Sequence, residues 1–504
     1  MSTRAGRSRI AVVVVVLLLG VLAFGFSAGW FERRPSIVLI TVDTQRPDRL
    51  GCYGHPTNQT PGIDALAAEG LVFEHAYCDV PWTTASMASV MTGKYSPYHG
   101  VTLPSSKLGQ EAVTLAEVLH ARGFQTAAII GSFPLDAVYG LNQGFQVYDD
   151  TFTTPLIAVP DTTVTHVELS PDAPDLGESI MEKMKNDAFR KDEEVTDAAL
   201  GWLGSRDPRT PFFLWVHYFG PHEKLTGDRS FTEQEPDMVA AYDGDVEKTD
   251  HAVGRFLDRL RTEGIVDDTL VILHSDHGQN LGESDYVGHG IRLDEESVHI
   301  PLIMRYPRRV LPGSRRTDVV RNIDITPTVL DAVGAADPTL AGRSLLPPRW
   351  WKRLTTPLQV PGNAYFETRL PTIIFRPQVI PDLGTILGPL RRFGLRTYEW
   401  RYVASEVVGP CSSGTPERDG FGNWSIPEPV VLDPARCKAI RRYKLFHESD
   451  PAARDVDVAA TQAPVAAALD GEARGHADHT PETAGNFALS PEQERKLRSL
   501  GYLQ

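Results

Sequence analysis

Residues 36–43, SIVLITVD, carry an unbroken apolar, β-branched run into a single carboxylate, Asp43. A half-wetted strand alternates apolar and polar side chains, whereas a short continuous run fits a strand covered on both faces. Runs of the same kind return at 126–131 (TAAIIG), 211–218 (PFFLWVHY), 269–276 (TLVILHSD) and 299–306 (HIPLIMRY). Between them TPGIDALAAEG (60–70), TLAEVLHARG (114–123) and residues 238–264 place apolar side chains at helical spacing. The alternation predicts an α/β protein with a central mixed, mostly parallel sheet flanked by helices on both faces. Sites in such sheets gather at the carboxyl ends of the strands. Residues 153–190, rich in Pro, Thr and Asp, interrupt the pattern and read as an inserted loop.

Composition bounds the function. With 504 residues, 41% hydrophobic and 23% charged, the chain can bury a large core and form one large domain with a smaller one attached. A formal charge of −15 argues against a nucleic-acid surface, which needs clustered Lys and Arg. Residues 10–31 hold no charge and follow Arg4, Arg7 and Arg9, so their roughly 20 apolar positions suit a membrane anchor. A cleaved signal peptide is the alternative; the length of the run and the lack of a small-x-small site favour retention. Either way the body is expected outside the cytoplasm, at the cell surface, in the periplasm or secreted. Cys52, Cys78, Cys411 and Cys437 allow three pairings, of which Cys411–Cys437 is favoured because the two flank a Gly- and Pro-rich stretch.

The polar residues at the strand ends carry the chemistry. The first run stops on Asp43, the run at 269–276 leads into Asp276 and His277, and the run at 211–218 leads to His222. Two carboxylates and an imidazole form the ligand set of a hard or borderline divalent cation: Ca, Mn or Zn. Within DVPWTTASMASVMTGKY (79–95), Thr83 precedes a small-residue, helix-like stretch ended by Gly93. Two readings stand for its hydroxyl. It caps the helix, or the positive helix end and a nearby metal ready it for attack.

Six motifs in order, ITVDTQRPDRLGCYG (40–54), TPGIDALAAEG, AYCDVPWTTASMASVMTGKYSPYHGV (76–101), DHGQNLGESDYVGHG (276–290), VHIPLIMRYP (298–307) and NIDITPTVLDAVG (322–334), resemble the sulfatase family of the alkaline phosphatase superfamily. GLRTYEWRYV (394–403), YKLFHESDPAARDV (443–456) and LSPEQERKLRSLGYL (489–503) resemble the small carboxyl-terminal subdomain and tail of bacterial members. With the apolar segment at 1–31 set apart as anchor or signal peptide, the resemblance implies a catalytic domain at 32–350, a small α+β subdomain at 351–460, a linker at 461–488 and a helical tail at 489–504. It also implies a metal site from Asp43, Asp276 and His277, with Thr83 in the place of the family's catalytic Cys or Ser.

In the family that Cys or Ser is oxidised to formylglycine within Cys/Ser-x-Pro-x-Arg, whereas here the run is Thr83-Thr84-Ala85-Ser86-Met87. Threonine carries a methyl on Cβ and cannot become that aldehyde. Thr44 stands where the family has a second aspartate, and AAIIGSFPLDAVYG (127–140) lacks its Lys and His. Lys94, His99, His222 and His289 remain as anion or proton contacts. His222 and His289 fall where the family contacts the leaving group and the anion, while His99 and His217 read as structural. Phosphodiesterases and phosphoethanolamine transferases of the superfamily use threonine as nucleophile, many with two zinc ions. The expected function is a metal-dependent hydrolase of sulfate or phosphate esters of a glycan, lipid or small molecule. A membrane phosphoryl or phosphoethanolamine transferase and an inactive binding protein are the alternatives.

Overall fold

The computed structural model describes residues 34–348 except 104–105, 156–186, 224–234 and 284–285. It then describes 362–370, 386–387, 390–408, 441–448 and 456–479, with short strands at 412–413, 417–418, 424–425, 430–431 and 484–486. The expected anchor at 10–31, the Cys411–Cys437 bridge, most of the insertion and the 489–504 tail lie outside these residues. Among the described residues no helix is long and apolar enough to cross a membrane. Cys52 and Cys78 are free thiols.

The main sheet contains β1 (Ser36–Val42), β2 (Leu71–Tyr77), β3 (Gln125–Ile129), β4 (Val147–Asp149), β5 (Phe212–Tyr218), β6 (Thr269–His274), β7 (His299–Arg305) and β8 (Ser314–Arg321). Their spatial order is β8-β2-β7-β6-β1-β5-β3-β4. β7 runs antiparallel to both β2 and β6, and the other pairings of this sheet are parallel. The longer helices are α1 (Pro61–Glu69), α2 (Thr83–Thr92), α3 (Leu115–Ala121), α4 (Asp192–Ser205), α5 (Glu235–Thr262), α6 (Ile325–Ala332) and α7 (Ala463–Ala477).

The continuous apolar runs have the cause inferred from the sequence. Ile37 and Leu39 of β1 join Phe213, Trp215, Leu270 and Ile272 in a core shared with α2, α3 and α6. Val38, Ile40 and Val42 point the other way, joining Leu214, Val216, Val271 and Leu273 in a core shared with α1, α4 and α5. Both faces of the central strands are therefore dry. Thr41 pairs in register with His217 of β5 and with His274 of β6, so the carboxyl ends of these three strands finish level. That edge carries Asp43, Asp276 and His277.

A second sheet follows, in which β9 (Ala364–Leu370), β10 (Leu390–Arg396), β11 (Trp400–Val407) and β12 (Arg441–His447) pair antiparallel in sequence order. It packs Phe393, Leu395, Tyr402 and Leu445 against Ala466, Leu469, Ala473 and Ala477 of α7. The linker expected at 461–488 is thus largely a helix that covers this sheet. Its buried stripe is mostly alanine, which packs closely but gives little hydrophobic contrast in a sequence.

Helix α2 is the element that fixes the site, and all ten of its residues are buried. Gly93 ends it in the left-handed region (φ 65°), donating to Ser89 O at 2.8 Å. A buried relay holds it beyond that point. The Val101 N–H donates to His99 Nδ1 (3.2 Å), so His99 carries its proton on Nε2 and donates to Ser89 Oγ (2.8 Å). Ser89 then donates to Asp79 Oδ2 (2.6 Å), which also receives the Ser96 N–H (2.9 Å), while Asn322 Nδ2 donates to Asp79 Oδ1 (2.9 Å). The structural reading of His99 holds.

Burial, with the charge of Lys94 adding to it, pushes His99 down to about 3. An unfolded histidine titrates near ~6.5, so as the pH falls the unfolded chain takes the proton first, and stability present above that value is lost toward pH 3. Asp79, pushed up to about 7 by burial, contributes with the opposite sign. The difference between two proteins isolates the histidine. His99→Gln is expected to melt below wild type at pH 7 and to recover part of that gap by pH 4, as read by circular-dichroism melts across pH.

Candidate active site

Four chain segments converge on the carboxyl edge of β6, β1 and β5. Asp43 follows β1, Asp276 and His277 follow β6, Thr83 opens α2, and His222 sits in the helical turn Gly220–Glu223 after β5. His289 comes from the loop between β6 and β7. All six side chains are buried.

Thr83 heads α2 without capping it. The cap residue is Trp82, whose backbone is extended (φ −133°, ψ 129°) and which makes no side-chain cap hydrogen bond. The capping reading of Thr83 is therefore replaced: its hydroxyl lies 3.0 Å from His277 Nε2 and 3.5 Å from Asp43 Oδ2. The helix end, with its positive dipole, faces the same space.

Carbonyl neighbours fix the histidine tautomers. His277 Nδ1 faces Gly278 O at 3.0 Å, so Nδ1 holds the proton and Nε2 presents its lone pair toward Thr83. His289 Nδ1 faces Pro81 O at 3.2 Å, which leaves its Nε2 as an acceptor. That atom lies 3.0 Å from His222 Nε2, so His222 is the donor of the pair. Burial pushes His277 down to about 4. It holds His222 and His289 well below the usual histidine range, helped for His222 by His289 and for His289 by His277. The cluster is neutral at pH 7. The His277 and His289 rings also lie against each other, tilted by 30° with centroids 4.3 Å apart.

The two carboxylates are held unequally. Asp276 Oδ1 accepts the backbone N–H of Thr44 (3.1 Å) and of His277 (2.9 Å). Asp276 Oδ2 and Asp43 Oδ1 are buried without a hydrogen bond. Burial raises the pKa of both groups, and for Asp43 the charge of Asp276 adds to the rise. Asp43, Asp276 and His277 each offer a ligand atom within 4.8 Å of the others. Two dry, partly unbonded carboxylates beside a neutral imidazole fit a divalent cation, which would relieve their repulsion.

Two residues undervalued in the sequence belong here. His217, read as structural, puts Nε2 3.5 Å from Asp43 Oδ2, and neither ring nitrogen makes a hydrogen bond. Its signal was an imidazole near the end of an otherwise apolar strand that finishes level with β1. Thr44 is, among the described residues, the one non-glycine with a left-handed backbone (φ 56°). A β-branched side chain there carries about 1–3 kcal/mol of strain, and the geometry aims its N–H at Asp276. Its hydroxyl donates to Asp43 O (2.7 Å) and its carbonyl accepts from the Tyr242 hydroxyl (2.8 Å). Lys94 is not brought to the site. It follows Gly93 at the opposite end of α2, some ~15 Å from Thr83 at ~1.5 Å of rise per residue.

Residues 35–335, more than half of the chain, match the sulfatase family. The chain belongs to the sulfatase family. It is 30% identical to human arylsulfatase A over 374 residues, covering 66% of this chain and 70% of that one. It is 27% identical to the arylsulfatase of Clostridium perfringens over 359 residues, covering 59% and 74%. The phosphonate monoester hydrolase of Agrobacterium radiobacter shares the fold, with a TM-score of 0.60 at 18% identity over 91% of this chain and 99% of that one. The expected architecture, a large α/β domain with a small carboxyl-terminal sheet subdomain, is the one this sulfatase-family protein has.

Asp276→Asn keeps an oxygen for the Thr44 and His277 N–H groups and removes the charge. Wild type is expected to lose several degrees of melting temperature on chelation, whereas Asp276→Asn should melt at one temperature with or without chelator, at or above the chelated wild type. Melting curves with metal analysis check this. A full metal-dependent shift in the variant would refute the ligand assignment.

Proposed function

We propose that this sulfatase-family protein hydrolyses phosphate or sulfate esters through Thr83 as the nucleophile, and that phosphorus is its better electrophile. The observation that carries the reading is the Thr83 hydroxyl, held 3.0 Å from His277 Nε2 and 3.5 Å from Asp43 Oδ2 at the positive end of a buried helix. The arylsulfatase relatives support an ester hydrolase. Asp43, Asp276 and His277 would hold one divalent cation, which when bound supplies Lewis-acid stabilisation of negative charge and lowers the pKa of a nearby hydroxyl. The bond from Thr83 Oγ1 to phosphorus forms as the bond to the leaving oxygen breaks, and Asp43 Oδ2 stands to take the hydroxyl proton. The leaving oxygen departs as an oxyanion, and His222, the neutral donor of the histidine pair, turns its Nε2–H toward it and holds the charge by a hydrogen bond. His289, whose Nε2 is an acceptor, takes a proton from the water that then cleaves the phosphothreonine, Asp43 returns the first proton to Thr83 Oγ1 as it is released, and the proton on His289 goes to the departed oxyanion.

Sulfur chemistry in the family rests on an aldehyde that Thr83 cannot form, and Met87 stands where the oxidation signature has arginine. The preference for phosphorus follows. Thr83→Ala is expected to lower turnover of bis(nitrophenyl) phosphate by several orders of magnitude with melting temperature and metal content kept. Thr83→Ser should retain part of the activity, and nitrophenyl sulfate should be the poorer substrate. Steady-state kinetics on the three proteins decide: an alanine variant as active as wild type removes the nucleophile, and a faster sulfate reaction removes the preference.

A further inference from the structure

We infer that Thr368, on β9 of the carboxyl-terminal sheet, is a positioning residue that holds the nucleophile and the histidine pair at a fixed separation; the inference rests on the reading of Thr83 as nucleophile. Thr368 is 1% exposed. Its hydroxyl accepts the indole N–H of Trp82 at 3.0 Å and donates to the carbonyl of Gly290. Trp82 is the residue before Thr83 and the cap of its helix, and Gly290 is the residue after His289. One buried hydroxyl thus ties together the chain neighbours of the two groups that must act on opposite sides of a transferring phosphoryl group.

The surrounding contacts leave this clasp little slack. Gly290 has a left-handed backbone (φ 84°), and a Cβ there would run into the Trp82 indole. The same indole meets the His289 ring edge-on at 5.7 Å. The Tyr286 hydroxyl donates to His289 O at 2.8 Å, and Arg392 of β10 donates to Ile291 O at 3.3 Å. One residue before Thr368, the Glu367 N–H donates to Asp79 O at 2.7 Å, so β9 grips the turn leading into α2 at two points. The carboxyl-terminal sheet is by this account part of the catalytic geometry. A displacement of about an ångström between attacking and proton-transferring groups is enough to slow such chemistry about a hundredfold.

Thr368→Val keeps the shape and removes both hydrogen bonds, Thr368→Ser keeps the hydroxyl, and Trp82→Phe removes the indole donor while retaining a ring. With bis(nitrophenyl) phosphate and the diphenyl ester as substrates, Thr368→Val and Trp82→Phe are expected to lower kcat by about tenfold or more with KM within about twofold. The loss should be larger for the diphenyl ester, whose more basic leaving group depends more on His222 and His289. Thr368→Ser should restore most of the rate. An unchanged kcat, an effect confined to KM, or an equal loss on both esters would overturn the proposal. Trp82→Phe carries the same test if the valine variant does not fold. Thr83→Ala measured alongside separates the two readings: if it stays active the nucleophile is lost, and the unequal loss on the two esters still decides whether the clasp places the histidines.

Discussion

Two carboxylates of like charge, Asp43 and Asp276, lie side by side at neighbouring strand ends with no exposed surface. At an effective dielectric near 20, unit charges about 4 Å apart repel by about 4 kcal/mol, before the loss of hydration is counted. The surroundings answer part of this. Asp276 Oδ1 takes two backbone N–H groups, and the strained turn at Thr44 supplies one of them. His217 and His277 approach the carboxylates but are each held down to about 4 by burial and bring no charge at pH 7. The oxygens left without a hydrogen bond are where a cation would be held. Thr83 lies against Asp43 and His277, and His289 lies against His277 and His222.

The sheet and the cluster of Asp43, Asp276 and His277 at its edge were legible in the sequence because one cause produces both signals. A strand covered on two faces is apolar throughout, so a carboxylate or imidazole just beyond its end stands out; Asp43, Asp276 and His277 did. His217 was harder to see because it lies inside its strand, where a polar residue more often satisfies a local bond, and only the register with Thr41 shows that it reaches the edge. Thr83 was placed at the right helix end but one position early, since a sequence cannot say whether a Trp or the Thr after it holds the extended cap conformation. Lys94 was grouped with the site by adjacency in a motif, whereas it follows the opposite end of α2 from Thr83. The helix α7 was hidden because alanine and glycine dominate it.

Family membership and local chemistry address different questions in this protein. The match over residues 35–335 explains the sheet, the helices and the acidic strand ends. It does not carry the family's aldehyde to position 83, where the β-methyl forbids it. The tautomer assignments are independent of any relative: they follow from which carbonyl each Nδ1 faces. They give the histidine pair a direction, His222 as donor and His289 as acceptor.

The reversal of β7 has a further effect. Connections between parallel strands must return to the opposite edge of the sheet before the next strand begins, so each meets the active edge only near its start. The segment between β6 and the antiparallel β7 leaves from the active edge and returns to it. The segment 275–298 therefore starts and ends at that edge, and its described residues include Asp276, His277 and His289. A residue gained or lost there alters the surroundings of His289 while the register of the strands beneath can stay the same. In this architecture that segment is where the setting of the strand-end residues can change with the sheet left in place.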